Sequence, residues 1–84
     1  MKYILMEGID EGPEKVEILS AVTDEEALLF LADRVNEEYE GESYTINTVR
    51  SRHNPDYYPD EIGFVGGDGD SAPWFSLFKV KDPA

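Results

Sequence analysis

The sequence contains no cysteine, and this absence excludes several kinds of chemistry. Without a thiol, the chain has no disulfide framework, no thiolate zinc site and no cysteine nucleophile. A secreted domain of only 84 residues usually needs disulfides to be stable, so the composition favours a cytoplasmic location.

Long apolar stretches are also missing from the sequence. No apolar run approaches the roughly 20 residues that a helix needs to cross a bilayer. The first seven residues lack both the apolar segment and the small-residue cleavage site of a signal peptide. We therefore expect neither a leader sequence nor a contact with the membrane.

Basic residues are scarce: 7 lysines and arginines stand against 19 acids, which gives a formal net charge of −12. A chain of this charge repels phosphate, so we expect no direct binding to nucleic acid or to anionic lipid. The same charge attracts basic protein surfaces. Acidity also serves solubility or adaptation to high salt, and the sequence leaves these explanations open.

The remaining composition is that of a folded protein, with 40% hydrophobic and 12% aromatic residues. The length fits one domain, residues 1–84. Runs rich in β-forming residues predict strands at 2–6, 15–22, 43–52, 61–65 and 74–81. Glycine, proline and aspartate predict loops at 7–14, 53–60 and 66–73. In the second strand, Val16 and Ile18 alternate with Glu17 and Leu19.

One helix is predicted from about residue 24 to about residue 40, ending before Gly41. Thr23 is a suitable N-cap, and Glu26 three residues later completes a capping box. Val22 can pack on Ala27 as a hydrophobic staple. An apolar stripe with helical spacing comprises Leu28, Leu31, Ala32, Val35 and Tyr39.

These elements predict an α+β fold: an antiparallel sheet of four or five strands with one helix on one face. The order is ββα, followed by two or three strands, and the first two strands form a hairpin. Residues 3–6 and 74–80 are apolar on both faces of their strands, whereas one helix covers only one face. Three candidates could cover the other face: the aromatic loop at 53–65, a second copy of the chain, or a functional partner.

Signals for catalysis are weak. His53 is the only histidine, and the serines near it in sequence form no nucleophile motif. The glycines between 63 and 69 are followed by no lysine in their loop, and the carboxylates among them would repel a phosphate. Paired carboxylates for glycoside hydrolysis need a cleft that so small a chain can hardly build. We therefore expect a protein that is not an enzyme.

Asp68 and Asp70 resemble the start of a calcium-binding loop. The EF-hand pattern then requires a ligand where Ala72 stands and a glutamate where Lys79 stands. The pattern fails, and a turn between strands explains both aspartates. We expect no cofactor and no metal, with a low-affinity calcium site as an alternative.

The outer face of the predicted helix is the main candidate for a binding surface. At about 100° per residue, Glu26, Asp33, Glu37 and Glu40 project away from the apolar stripe, and Phe30 falls among them. A solvent-exposed helix face accounts for the acids but not for the aromatic ring. A ring surrounded by acids is also typical of a hot spot that meets a basic groove.

A second candidate is the loop at 54–61, in which Tyr57 and Tyr58 are flanked by Asp56 and Asp60. Two prolines stiffen this segment, and tyrosine supplies contact area at a low entropic cost. The alternative is that one tyrosine closes the sheet face and the other is solvated.

The sequence thus favours a protein-interaction module that binds a basic surface of a nucleic-acid-handling protein by mimicking phosphate charge. Small inhibitors encoded by phages and other mobile elements are of this physical type. The main alternative is a structural or accessory subunit that associates through its sheet face, as a homodimer or with a dedicated partner.

Overall fold

A computed structural model describes residues 1–9, 12–39, 43–50, 60–66 and 73–80. Among these residues, no helix is long and apolar enough to cross a membrane. The elements in chain order are β1 (Lys2–Ile9), β2 (Gly12–Ser20), α1 (Asp24–Glu38), α2 (Ile46–Val49), β3 (Glu61–Val65) and β4 (Trp74–Val80).

The described strands form one antiparallel sheet in the order β2-β1-β4-β3. The α+β class and the β1–β2 hairpin are thereby confirmed. The predicted loop at 7–14 is too long, because β1 extends to Ile9 and β2 begins at Gly12. A bulge after Glu7 absorbs one extra residue and places Gly8 opposite Pro13, so pairing continues almost to the tip of the hairpin.

Helix α1 begins as the sequence predicts. The Glu26 N–H donates to Thr23 Oγ1 at 3.2 Å, which is the first half of the predicted capping box. The second half is shifted by one residue, because Glu26 Oε2 accepts from the Val22 N–H at 3.4 Å. The predicted staple is wrong, since Val22 is 78% exposed.

The helix ends at Glu38, two residues before the predicted end. Tyr39 leaves the helical conformation and donates a hydrogen bond from its hydroxyl to the Pro73 carbonyl at 2.5 Å. Its ring meets Phe75 edge-on at 6.3 Å between centroids. The aromatic contact and the hydrogen bond therefore fix the point at which the chain leaves α1.

The core lies between α1 and one face of the sheet. The predicted apolar stripe of α1 is buried here, with Tyr39 half-buried at its end. The sheet contributes Tyr3, Leu5, Leu19, Phe75 and Leu77. These side chains share one face because they alternate along each strand and pair across β1, β2 and β4.

The described part of the strand predicted at 43–52, residues 43–50, does not form that strand. Thr45 instead caps the single turn α2, and its N–H donates to Thr48 Oγ1 at 2.7 Å. Val49 becomes completely buried, and Arg50 makes only an isolated bridge to Gly63. The β-branched residues suggested a strand, but threonine capping and burial of Val49 favour the turn.

Helix α1 lies off-centre on the sheet, closer to β3 and β4 than to β2. Gly63 allows this close approach, because a Cβ atom there would lie 2.5 Å from Leu31 Cδ2 and 3.2 Å from the Val49 carbonyl oxygen. The helix therefore covers the β3 side tightly and leaves a depression along β2.

The far face of the sheet is turned away from α1 and α2 and is mainly apolar. Its apolar side chains on the described strands are Ile4, Met6, Val16, Ile18, Phe64, Trp74, Phe78 and Val80. Val16 and Ile18 at the β2 edge are 58% and 70% exposed. The observation that strands β1 and β4 are apolar on both faces is thus confirmed, with one face in the core.

Candidate partner-binding surface

The outer side of α1 presents Glu26, Phe30, Asp33 and Glu37, which we call the helix surface. All four side chains are exposed, and Phe30 is 46% exposed. Positions 26, 30, 33 and 37 recur at intervals of three and four residues, so one side of the helix presents them together. The structure therefore brings together four of the predicted site residues.

A depression lies on each side of Phe30. The larger, of about 290 Å³, runs between α1 and the C-terminal part of β2. Its lining includes Glu17, Leu19 and Ser20 from β2, with Glu26 and Phe30 from the helix. The smaller, of about 190 Å³, is lined by Phe30, Asp33, Arg34 and Glu37. Phe30 therefore lies between two depressions, each of which is lined by carboxylates.

The carboxylates of the helix surface form no ion pair within the described part of the chain. Of the three other acids of α1, Glu38 also forms no ion pair with a described residue, and the remaining two are paired. Asp24 lies 3.3 Å from Lys79 Nζ, and Glu25 lies 4.0 Å from the Arg50 guanidinium. The unpaired negative charge of α1 is thus concentrated on the side that carries Phe30.

Arg34 is the one cation beside the helix surface among the described residues, and it is already engaged. Its Nε donates to Glu7 Oε2 at 3.3 Å, and its Nη2 lies 3.8 Å from Glu17 Oε2. Glu17 Oε2 is buried and accepts no hydrogen bond from any described residue. Arg34 therefore ties α1 to the sheet through both carboxylates, although its contact with Glu17 is too long for a hydrogen bond.

The first turn of α1 is held by a partly buried hydrogen bond. Tyr3, which is completely buried, donates from its hydroxyl to Asp24 Oδ1 at 2.6 Å. Burial, reinforced by Asp24, raises the pKa of Tyr3 to about 12. The hydrogen bond from Tyr3 lowers the pKa of Asp24, and Lys79 adds to this effect against the opposite effect of burial. This contact anchors the helix to β1 at its N-terminal end.

Of the remaining predicted site residues, only Asp60 is among those that the structure describes. Asp60 lies at the start of β3, where its carbonyl accepts from the Lys79 N–H at 2.8 Å. Strand β3 is at the opposite edge of the sheet from β2, about 14 Å away at the usual spacing of strands. The other predicted positions, Glu40, Asp56, Tyr57, Tyr58, His53, Asp68 and Asp70, lie outside the described residues.

Sequence reasoning missed the contribution of β2 to the larger depression. Its alternation already placed Glu17 on the same face as the apolar Leu19. A carboxylate on a face that enters the core is unusual and points to a special environment. That signal could have drawn attention to the strand, although the depression itself also depends on the off-centre position of α1.

The described residues contain no group of three or more histidine, aspartate or glutamate side chains placed to hold a metal ion. Comparisons with family models, curated proteins and solved structures gave no match. The surface chemistry of the chain itself is therefore the basis for inferring its function.

Proposed function

We propose that this chain is a non-enzymatic interaction module that binds a basic, nucleic-acid-binding surface of another protein. The carboxylates of the helix surface take the place of phosphates, and Phe30 provides an apolar anchor. The observation that carries the proposal is the half-exposed Phe30 between two depressions that are lined by carboxylates.

Charge spacing sets the expected strength of this mimicry. Glu26 and Glu37 are eleven positions apart, so three carboxylates span about 16 Å of helix. Duplex DNA carries one charge per about 1.7 Å of axis, a much higher density. We therefore expect the affinity of this chain for a basic surface to depend on salt as about three charge contacts would require. The affinity of DNA for the same surface should fall more steeply with salt.

The apolar anchor distinguishes a specific surface from general acidity. Exposed ion pairs contribute only about 0.2–1 kcal/mol each, because water and salt screen them. An aromatic side chain that enters a complementary pocket can contribute about 2 kcal/mol or more. Binding should accordingly require both Phe30 and the carboxylates around it.

The test is a capture experiment in which proteins held by the immobilised chain are eluted with a duplex DNA oligonucleotide. Neutralising the helix surface with Glu26→Gln, Asp33→Asn and Glu37→Gln should weaken binding of the DNA-eluted protein by about 10- to 100-fold. Phe30→Ala should weaken it by about 30-fold. Titration of the purified partner measures both effects.

The matched control neutralises three exposed acids elsewhere, with Glu14→Gln, Glu25→Gln and Glu38→Gln. Both triple variants change the net charge from −12 to −9, since each removes three negative charges. Equal losses of affinity in the two variants would refute the helix surface as the site. Elution by salt but not by DNA would refute mimicry of nucleic acid.

A second candidate function is self-association or attachment to a dedicated subunit through the far face of the sheet. The apolar side chains there, with Val16 and Ile18 more than half exposed, favour this alternative. Among the paired positions of the far face on the described strands, only Lys2 and Glu61 are charged. A dimer of this kind would persist at high salt, whereas capture by the helix surface would not.

A further inference from the structure

The outer edge of β2 has backbone groups that point away from the sheet. Met1 and Ala21 exchange both backbone hydrogen bonds, each at 3.0 Å. Hydrogen-bonded and non-hydrogen-bonded pairs alternate in an antiparallel ladder. The backbones of Leu19 and Glu17 are therefore also hydrogen-bonded to β1. The N–H and C=O groups of Val16, Ile18 and Ser20 consequently point outward. The described residues provide no hydrogen-bond partner for them.

Only half of this edge is protected against pairing with another strand. Proteins protect edge strands with proline, bulges, charges or a covering segment. The N-terminal half of β2 has Pro13 and the bulge opposite Gly8. The half from Val16 to Ser20 has neither proline nor bulge, and its one charged residue, Glu17, points toward Arg34 of α1. Val16 and Ile18 add exposed apolar side chains to this half. This unprotected half is the part that borders the larger depression.

An added strand would meet different chemistry on its two faces. Side chains on the α1 side would enter the larger depression, beside Glu17, Glu26 and Phe30. Side chains on the other side would extend the far face of the sheet, beside Val16 and Ile18. The site therefore suits a segment in which basic residues alternate with apolar, β-branched ones.

We propose that the edge of β2 from Val16 to Ser20 accepts an extended basic segment of the partner as a fifth strand. This inference rests on the proposed function and names the part of the partner that is recognised. Main-chain hydrogen bonds supply affinity, and a lysine or arginine beside Glu17 and Glu26 supplies selectivity. A donor from that residue would lie near the carboxylate of Glu17, whose side chain is 39% exposed and lines the larger depression.

A second copy of the chain suits this edge less well. In the antiparallel register that is centred on Glu17, pairing β2 with its own copy would set the two Glu17 carboxylates opposite each other. Each copy also carries a net charge of −12, so the whole molecules repel one another. Charge complementarity therefore favours a basic segment of a different protein.

The experiment uses a short capped peptide in which lysine and valine alternate, with a control peptide of the same composition whose lysines are grouped. In the free protein, the N–H groups of Val16, Ile18 and Ser20 should exchange rapidly with solvent, and those of Glu17 and Leu19 slowly. The alternating peptide should slow exchange at the three outward groups by tenfold or more, as followed by NMR. The grouped peptide should not.

Ile18→Pro removes one outward donor and leaves the bonds between β1 and β2 intact. It should lower the affinity for the alternating peptide at least tenfold. Ile18→Val, which keeps the donor, should change that affinity less than threefold. If Ile18→Pro disturbs the spectrum of β1 and β4, chemical synthesis with an N-methylated Val16 makes the same test. Unchanged exchange at the edge on peptide binding would overturn the inference.

The result that would refute the proposed function differs from the one that would refute strand addition. If the helix-surface triple variant loses the DNA-eluted partner while Ile18→Pro binds it normally, strand addition is refuted and charge mimicry stands. If the partner is bound equally by the triple variant and its matched control, the proposed function fails whatever the peptide does. Loss of the partner in both the triple variant and Ile18→Pro supports the two proposals together.

Discussion

The hydroxyl of Tyr3 links the first strand to the first turn of α1, and we expect its removal to weaken the fold. Tyr3→Phe deletes the hydrogen bond to a charged Asp24 and should cost about 1.5–3 kcal/mol in the free energy of unfolding. The pKa of Asp24 should rise toward its ordinary value, because Tyr3 is the largest cause of its lowering. Chemical denaturation and an NMR titration of the Asp24 carboxyl measure the two effects.

The same pair makes stability depend on pH in both directions. Folding lowers the pKa of Asp24. The stability that Asp24 contributes is therefore complete above its pKa in the unfolded chain and is lost as the pH falls through its pKa in the folded protein. The pKa of Tyr3 is raised to about 12, so its contribution is complete below pH 10 and disappears as the pH rises to about 12. Tyr39→Phe, which breaks a bond to a neutral carbonyl, is the control. It should leave the acid dependence from Asp24 unchanged, and a parallel change there would contradict this account.

At the scale of elements, predictions succeeded where local chemistry decides the structure. Thr23 caps α1 as expected, because capping needs only the residues of the first turn. The strand predicted at 43–52 failed because burial of Val49 and the bond between Thr45 and Thr48 outweigh the preference of β-branched residues. The depression beside β2 could not be predicted, since it depends on where α1 settles on the sheet, which is decided by Gly63 far along the chain.

Gly63 is accordingly the position at which the packing of α1 can be tested. Gly63→Ala places a methyl group 2.5 Å from the completely buried Leu31 and should destabilise the fold by about 1–3 kcal/mol. Thermal or chemical unfolding measures this loss. Gly12→Ala is the matched control, because no atom of the described residues beyond its chain neighbours lies within 4 Å of its added Cβ, and its effect should be small. Equal stabilities of the two variants would refute the close approach of α1 to β3.

The helix surface could be predicted in outline because helical periodicity places Glu26, Phe30, Asp33 and Glu37 on one side. The role of β2 could not, because it combines three non-local features: the sheet order, the outward backbone groups and the off-centre helix. Periodicity identifies which side chains share a face. It does not tell which edge of a sheet a helix leaves uncovered.

At the scale of the whole molecule, salt should affect folding and binding in opposite directions. The net charge of −12 makes the compact state repel itself, and added salt screens this repulsion. Raising NaCl from about 10 mM to 0.5 M should therefore increase the stability by about 1 kcal/mol, which corresponds to about 4–8 °C in Tm for a domain of this size. Circular dichroism during heating measures the shift.

The helix-surface triple variant should show a smaller shift of Tm with salt, because it has three fewer negative charges. Over the same range of salt, the affinity for a basic partner should fall, since screening removes the attraction between the two surfaces. A protein whose Tm rises while its affinity falls has not lost its partner by unfolding. A Tm that decreases with salt would instead mean that ion pairs, such as those of Arg34 with Glu7 and Glu17, outweigh the self-repulsion.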